Sequence, residues 1–120
     1  MKLKSRFFLV LSLIFICSSC FQEYKDIKKA KLLYKAEKHK EAIDLLNQYD
    51  SKKTKELNSK IHQDLAVETL TNLNEEKELR YLNAKENLRK ALDLDPENKE
   101  AKVFYKMLSK TIDREFPSGL

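Results

Sequence analysis

The side chains best suited to nucleophilic or metal chemistry in this 120-residue chain are two cysteines and two histidines. Cys17 and Cys20 lie close together near the amino terminus, whereas His39 and His62 lie far from them and from each other. A structural zinc site needs four such ligands at characteristic spacings, and the sequence has no Cys/His cluster of that kind. We therefore expect neither a metal site nor a bound cofactor.

The histidines and acidic residues also fail to form a recognisable catalytic arrangement. His39 lies between two lysines, which is typical of a solvated turn. His62 and Asp64 are two residues apart, so they face different sides of a helix. Glu75 and Glu76 suit the first turn of a helix, where the helix dipole favours acids, and no serine lies in a nucleophile-elbow context. We expect this chain not to be an enzyme and to have no small-molecule substrate.

The first 19 residues have the three regions of a secretory signal peptide. Three basic residues without an acid precede an apolar run from Phe7 to Cys17, and two small serines follow it. The run is too short to cross a bilayer comfortably, which takes about 20 residues.

Without residues 1–19 the chain carries 21 basic and 19 acidic side chains, so its formal charge falls from +5 to +2. We expect no nucleic-acid partner.

The segment Cys17-Ser18-Ser19-Cys20 resembles a bacterial lipobox, although Cys17 stands where Leu is usual. In that family the last cysteine is acylated and becomes the first residue after cleavage. The resemblance implies a covalent lipid on Cys20 and a lipid anchor with a short tether over residues 20–25. A secreted protein with an unmodified cysteine is the alternative. Phe21 in place of Asp after the cysteine implies the outer membrane by resemblance to lipoprotein sorting.

The rest of the chain has the apolar periodicity of helices, and one glycine with two prolines leaves little material for sheet turns. We predict an all-α fold with five helices. The first runs from about Tyr24 to Glu37, the second reaches Tyr49, and the third follows Thr54. The fourth covers about 75–94 and ends at Asp95-Pro96, and the fifth covers about 98–114. Leu73 and Leu79 are predicted to face inward.

Two segments align at an offset of 42 residues, Ala42-x3-Leu46-x2-Tyr49 and Ala84-x3-Leu88-x2-Ala91. The second continues to Pro96 and resembles the second helix of a tetratricopeptide repeat, with Ala30 at a small position of the first repeat. The first repeat departs from the pattern at four positions, which are Glu37 for Gly, His39 for an aromatic residue, Tyr49 for Ala and Thr54 for Pro. The resemblance implies antiparallel helix pairs stacked as a short solenoid with a carboxyl-terminal capping helix over 26–114, and a tail over 115–120.

In this repeat family the first helix of each pair lines a concave partner-binding groove. The resemblance places that groove at Tyr24, Ile27, Lys31, Tyr34 and Lys35. Aromatic side chains flanked by lysines suit a peptide that carries acids. The alternative is that Tyr34 belongs to the core and that Lys31 and Lys35 form a solvated edge.

A short repeat lipoprotein of this kind resembles a truncated BamD-type accessory lipoprotein of outer-membrane β-barrel assembly. That resemblance implies a protein partner, the periplasmic domain of the barrel-assembly protein, and a lipid-anchored location at the periplasmic face of the outer membrane. Two alternatives are a pilotin-like lipoprotein of a secretion or pilus apparatus and a surface lipoprotein that binds extracellular ligands.

Overall fold

The structure is a computed structural model that describes residues 2–117, with side chains from residue 19 onward. It confirms the all-α prediction over this range. The five helices are α1 (Lys2–Lys35), α2 (His39–Leu46), α3 (Lys52–Thr71), α4 (Lys77–Leu94) and α5 (Lys99–Glu115). The side chains of the predicted leader, that of Cys17 among them, and residues 118–120 of the predicted tail lie outside the described part.

Helix α1 runs without a break through Cys20 and through residues 21–25, the segment expected to act as a tether. No glycine or proline occurs in this stretch, so nothing interrupts the helix. Residues 21–25 therefore rise only about 1.5 Å each, as helical residues do. Within the part of the chain that the structure describes, no helix has both the length and the hydropathy to cross a membrane.

Helix α1 ends in a left-handed turn at Glu37, whose φ is 61°. The amide of Lys38 donates to the carbonyl of Leu33 at 2.9 Å, and that of Glu37 donates to the carbonyl of Tyr34 at 3.0 Å. These two bonds define a Schellman motif, whose left-handed position normally holds glycine. A glutamate here costs free energy because its Cβ crowds the backbone.

Two clusters of buried residues form the core, and α3 contributes to both. The first lies among α1, α2 and α3 and contains Ala30, Ala42, Ile43, Leu46 and Ile61. The second lies among α3, α4 and α5 and contains Ala66, Ala84, Leu88, Ala91, Ala101, Leu108 and Ile112. Alanine at so many of these positions lets neighbouring helix backbones approach closely. Each helix packs mainly against the next one in the chain.

Buried polar contacts fix the junctions between helices. Ser59 of α3 is fully buried and donates to the carbonyl of Ala91 in α4 at 2.6 Å. The same hydroxyl accepts from Asn98, the amino-terminal cap of α5, at 3.0 Å. One serine therefore connects α3, α4 and the start of α5.

Several details differ from the sequence predictions. Helix α2 ends at Leu46, so Tyr49 lies beyond it, and its hydroxyl reaches back to donate to the buried Asp26 carboxylate in α1. That bond raises the pKa of Tyr49 to about 12. Leu73 and Leu79 are exposed, so the prediction that they face inward is wrong. Leu73 follows the end of α3, and Leu79 is in the first turn of α4.

Candidate protein-binding face

The five predicted groove residues do not share one environment. Tyr24, Lys31 and Lys35 are exposed, whereas Ile27 and Tyr34 are half-buried against the first core cluster. The exposed three lie at the solvent side of α1, and the other two turn toward the neighbouring helices. The structure therefore divides the predicted set between an exposed edge and the core boundary.

Tyr34 connects α1 to α3. Its hydroxyl donates a hydrogen bond to the Asp64 carboxylate, and its ring lies 5.6 Å from the His39 ring, centroid to centroid. Burial raises the pKa of Asp64, and the nearby charge of Glu100 adds to that effect. Tyr34 is thus held in place by two neighbours from outside its own helix.

His39 has a partner that the sequence did not indicate. Its Nδ1 atom lies 2.8 Å from Oε2 of Glu68 in α3. The expectation that His39 lies in a solvated turn is corrected here, because folding brings together two residues 29 positions apart. The contact closes the turn between α1 and α2 onto α3.

Helices α1, α3 and α5 are linked in order by polar contacts. Tyr34 and Asp64 join α1 to α3, and Gln63 donates to Glu100 at 3.0 Å to join α3 to α5. Side chains three, four or seven positions from these contacts share their side of each helix. What we name the odd-helix face consists of four exposed residues chosen at these spacings, Lys31, Val67, Val103 and Met107, together with the exposed Lys35, which follows Tyr34.

Val103 and Met107 are the most exposed apolar side chains on this face, at 59% and 61%. Together with Lys99, Glu100 and Phe104 they line an open, largely apolar depression of about 440 Å³ on α5. Val103 and Met107 are not among the predicted groove residues. The available signal was their spacing, since they are four residues apart and fall outside the buried stripe of Ala101, Leu108 and Ile112.

A second groove, of about 560 Å³, lies among α2, α3 and α4 on the other side of α3. Its walls carry both signs of charge, including Lys40, Glu68, Glu86 and Lys90. His62 lies buried at its base with Nδ1 3.4 Å from Oδ1 of Asn87. Burial lowers the pKa of His62, and the charge of Lys90 acts in the same direction.

The predicted lipid-attachment residue, Cys20, is exposed and carries a free thiol in the chain as described. It lies in α1, so its position relative to the core is set by the helix. Among residues 19–117, no group of three or more His, Cys, Asp and Glu side chains is placed to hold a metal ion.

In comparisons with known proteins, no family model, no curated protein and no solved structure matches the chain.

Proposed function

We propose that this chain is a lipid-anchored adaptor of the tetratricopeptide type that holds a protein partner at the periplasmic face of the outer membrane. In this proposal Cys20 carries the lipid and the odd-helix face binds the partner. The partner we favour is the periplasmic domain of the barrel-assembly protein, which makes the chain an accessory subunit of outer-membrane protein assembly.

The observation that carries the proposal is the agreement between burial and the repeat positions. Ala30, Ala42, Ala84, Leu88 and Ala91 occupy repeat positions for small or apolar residues, and all five are fully buried. In a repeat solenoid these are the contacts between helices, where small side chains allow close approach. The repeat register thus matches four of the six fully buried alanines, and Ala66 and Ala101 are buried outside these positions.

The departures from the repeat pattern also have structural counterparts. Glu37, in place of the usual glycine, adopts the left-handed conformation that glycine provides. His39, in place of an aromatic residue, contacts the Tyr34 ring with its own ring at a tilt of 44°. Thr54, in place of proline, is buried, and its hydroxyl donates to the carbonyl of Ser51, the cap of α3. These three substitutes perform related local tasks, whereas Tyr49, in place of alanine, lies beyond the end of α2.

The same register extends into α5. Counting onward from Pro96 at repeat position 32 puts Val103 at position 5 and Met107 at position 9 of the next first-type helix. These are groove positions in the family, and they match Ile27 and Lys31 of the first repeat. Exposed apolar side chains beside lysines suit a partner segment that mixes apolar and acidic residues.

The anchor supports a role close to the membrane. Because residues 21–25 are helical, the body starts within about 10 Å of Cys20 along the axis of α1. Two or three acyl chains on that cysteine would hold the protein on the membrane for good. A binding face so close to the anchor suits a partner that is itself in the membrane.

Affinity capture tests the proposal. The protein is tagged at its carboxyl terminus, recovered from membranes in mild detergent, and its partners are identified by mass spectrometry. We expect the barrel-assembly protein to be recovered with the wild type and to decrease at least tenfold with Val103→Asp/Met107→Asp. Leu73→Asp is the matched control, since Leu73 is an exposed leucine outside the odd-helix face.

The outcomes separate the alternatives. Recovery of a secretin in place of the barrel-assembly protein would favour the pilotin-like function. Equal recovery with the double variant and with the control would remove the odd-helix face from the proposal. Protease treatment of intact cells adds a location test, because a periplasmic adaptor is protected and a surface-displayed binder is digested.

A further inference from the structure

Helix α1 has a second exposed surface, which adjoins the exposed edge formed by Tyr24, Lys31 and Lys35. We name it the outer face of α1, and it consists of Phe21, Lys25, Lys28, Lys29 and Leu32. At 100° per residue these side chains fall within an arc of about 100°. All five are exposed, with Phe21 at 58% and Leu32 at 68%.

The outer face is basic and has no acidic side chain. The two acids of this part of α1, Glu23 and Asp26, point elsewhere, since Glu23 is half-buried and Asp26 is buried. Asp26 accepts hydrogen bonds from Tyr49 and from Gln22, which hold it on the core side. The acids that could neutralise the lysines are therefore turned away from them.

The three lysines of this face take part in none of the ion pairs found in the described part of the chain. Lys25 lies over the Phe21 ring at 4.6 Å from its centroid, and Lys28 lies at the same kind of distance, 4.7 Å, from the Tyr24 ring. The ammonium groups of Lys25 and Lys28 lie over these exposed rings and pair with no carboxylate in the described part of the chain. This combination of apolar bodies and cationic tips is typical of helices at a membrane surface.

We propose that the outer face of α1 lies on an anionic lipid surface and fixes how the body sits relative to the membrane. The proposal rests on the proposed anchor at Cys20, which directly precedes Phe21 on the same helix. Each lysine near an anionic leaflet favours the contact roughly fivefold, and Phe21 and Leu32 add apolar area. The lipid chain on Cys20 limits only the distance between the body and the membrane. A second contact along α1 also limits rotation of the body relative to the membrane.

The consequence for the adaptor is orientation. Tyr24, Lys31 and Lys35 lie about 70° to 110° around α1 from the centre of the outer face. With that face on the lipid, these side chains and the odd-helix face point sideways, along the membrane plane. A partner embedded in the same membrane can then reach the face without the body having to turn.

A single fluorescent reporter tests this contact. The chain has no tryptophan, so Leu32→Trp introduces a unique emission signal. Leu32 lies about 18 Å along the helix from Cys20, far enough that insertion of an acyl chain does not move the reporter into lipid. The full chain carrying Leu32→Trp is purified from the membrane fraction and mixed with vesicles of phosphatidylcholine, with or without phosphatidylglycerol. The mass of its amino-terminal peptide is measured on the same sample.

We expect the emission to shift to shorter wavelength, and brominated lipid to quench it, with anionic vesicles and not with phosphatidylcholine alone. Lys25→Glu/Lys28→Glu/Lys29→Glu in the reporter background should abolish the shift. Lys31→Glu/Lys35→Glu, which reverses charges on the same helix outside the outer face, should keep it. Circular dichroism checks that both variants remain helical.

Failure of the contact and failure of the anchor give different results. An acylated Cys20 without any shift would overturn the membrane contact and leave the anchor in place. An unmodified Cys20 with the shift retained would support the contact and overturn the anchor. The membrane contact would be overturned if both charge variants kept the emission shift or if both lost it. It would also be overturned if the shift appeared on addition of an acidic protein without vesicles.

Discussion

The hydroxyl of Tyr34 in α1 donates to the carboxylate of Asp64 in α3, joining two helices that are separated in the chain by the whole of α2. The acceptor is half-buried, and burial raises its pKa. A half-buried carboxylate that depends on one hydroxyl loses much of its stabilisation when that donor is removed. The bond therefore contributes to how α1 and the core are held together.

Tyr34→Phe should lower the free energy of unfolding by about 1–2 kcal/mol, the cost of leaving a partly buried acceptor without its donor. Urea denaturation monitored by circular dichroism measures the change. Tyr24→Phe is the matched control, since Tyr24 is exposed and should change stability little. Similar losses in both variants would contradict a special role for the bond to Asp64.

Glu37→Gly should stabilise the protein by up to about 1 kcal/mol. The left-handed conformation at φ 61° crowds the glutamate Cβ, and glycine removes that crowding. The extra freedom of glycine in the unfolded chain offsets part of the gain. Thermal unfolding measures the effect as a higher Tm.

Ala36→Gly, one residue earlier, is the control for Glu37→Gly. The backbone of Ala36 is not left-handed, so glycine there brings only the entropic cost and should lower the Tm. A lower Tm with both variants would show that the turn at Glu37 carries no strain.

Ser59→Ala should destabilise the protein by about 1–2 kcal/mol, because the buried hydroxyl bonds both Ala91 and the Asn98 cap. Ser109 offers a matched control. Its hydroxyl is also buried but has no hydrogen-bond partner, so Ser109→Ala should be neutral or stabilising. In urea denaturation, Ser59→Ala should lower the free energy of unfolding, whereas Ser109→Ala should leave it unchanged or raise it.

Lowering the pH below about 6.5 should destabilise the protein through His62. Burial lowers the pKa of His62 in the folded state below the ordinary histidine value of 6.5. The unfolded chain therefore binds more protons than the folded one in this range, and the free energy of unfolding decreases as the pH is lowered. The pKa values of Asp50 and Glu86 are also lowered, but their contributions are lost only below about pH 4.5.

Urea denaturation at pH 7.5 and at pH 5.5 isolates the histidine effect from those carboxylates. The wild type should lose stability between the two values, and His62→Gln, which does not titrate, should lose less. An equal loss in both proteins would mean that His62 is not the group responsible.

The helices were predictable because their signals are local. Apolar spacing placed α3, α4 and α5 to within a few residues, and Pro96 fixed the end of α4. The repeat alignment singled out Ala42, Ala84 and Ala91, and all three are fully buried. The sequence did not indicate that α1 continues through residues 21–25. The predicted cleavage site at Cys20 places a boundary there, and α1 has no break at that point.

The candidate face was only partly predictable. The sequence selected Lys31 and Lys35, which are exposed, together with Tyr34, whose ring is held by His39 and whose hydroxyl is bound to Asp64. The sequence did not identify Val103 and Met107 as part of the face, because an exposed apolar pair has the same spacing along a helix as a buried pair. Which side of an amphipathic helix meets solvent depends on where its neighbours lie.

By itself the sequence determined helix content, the boundaries at breakers and caps, and the spacing of small residues, since these depend on neighbours within a few positions. Only the tertiary structure decided the contacts from Tyr34 to Asp64, from His39 to Glu68 and from Ser59 to Asn98. Those residues are about 30 to 40 positions apart, and no local preference specifies which distant side chain will complete a hydrogen bond. Close packing of the alanine-lined helices brings them within reach.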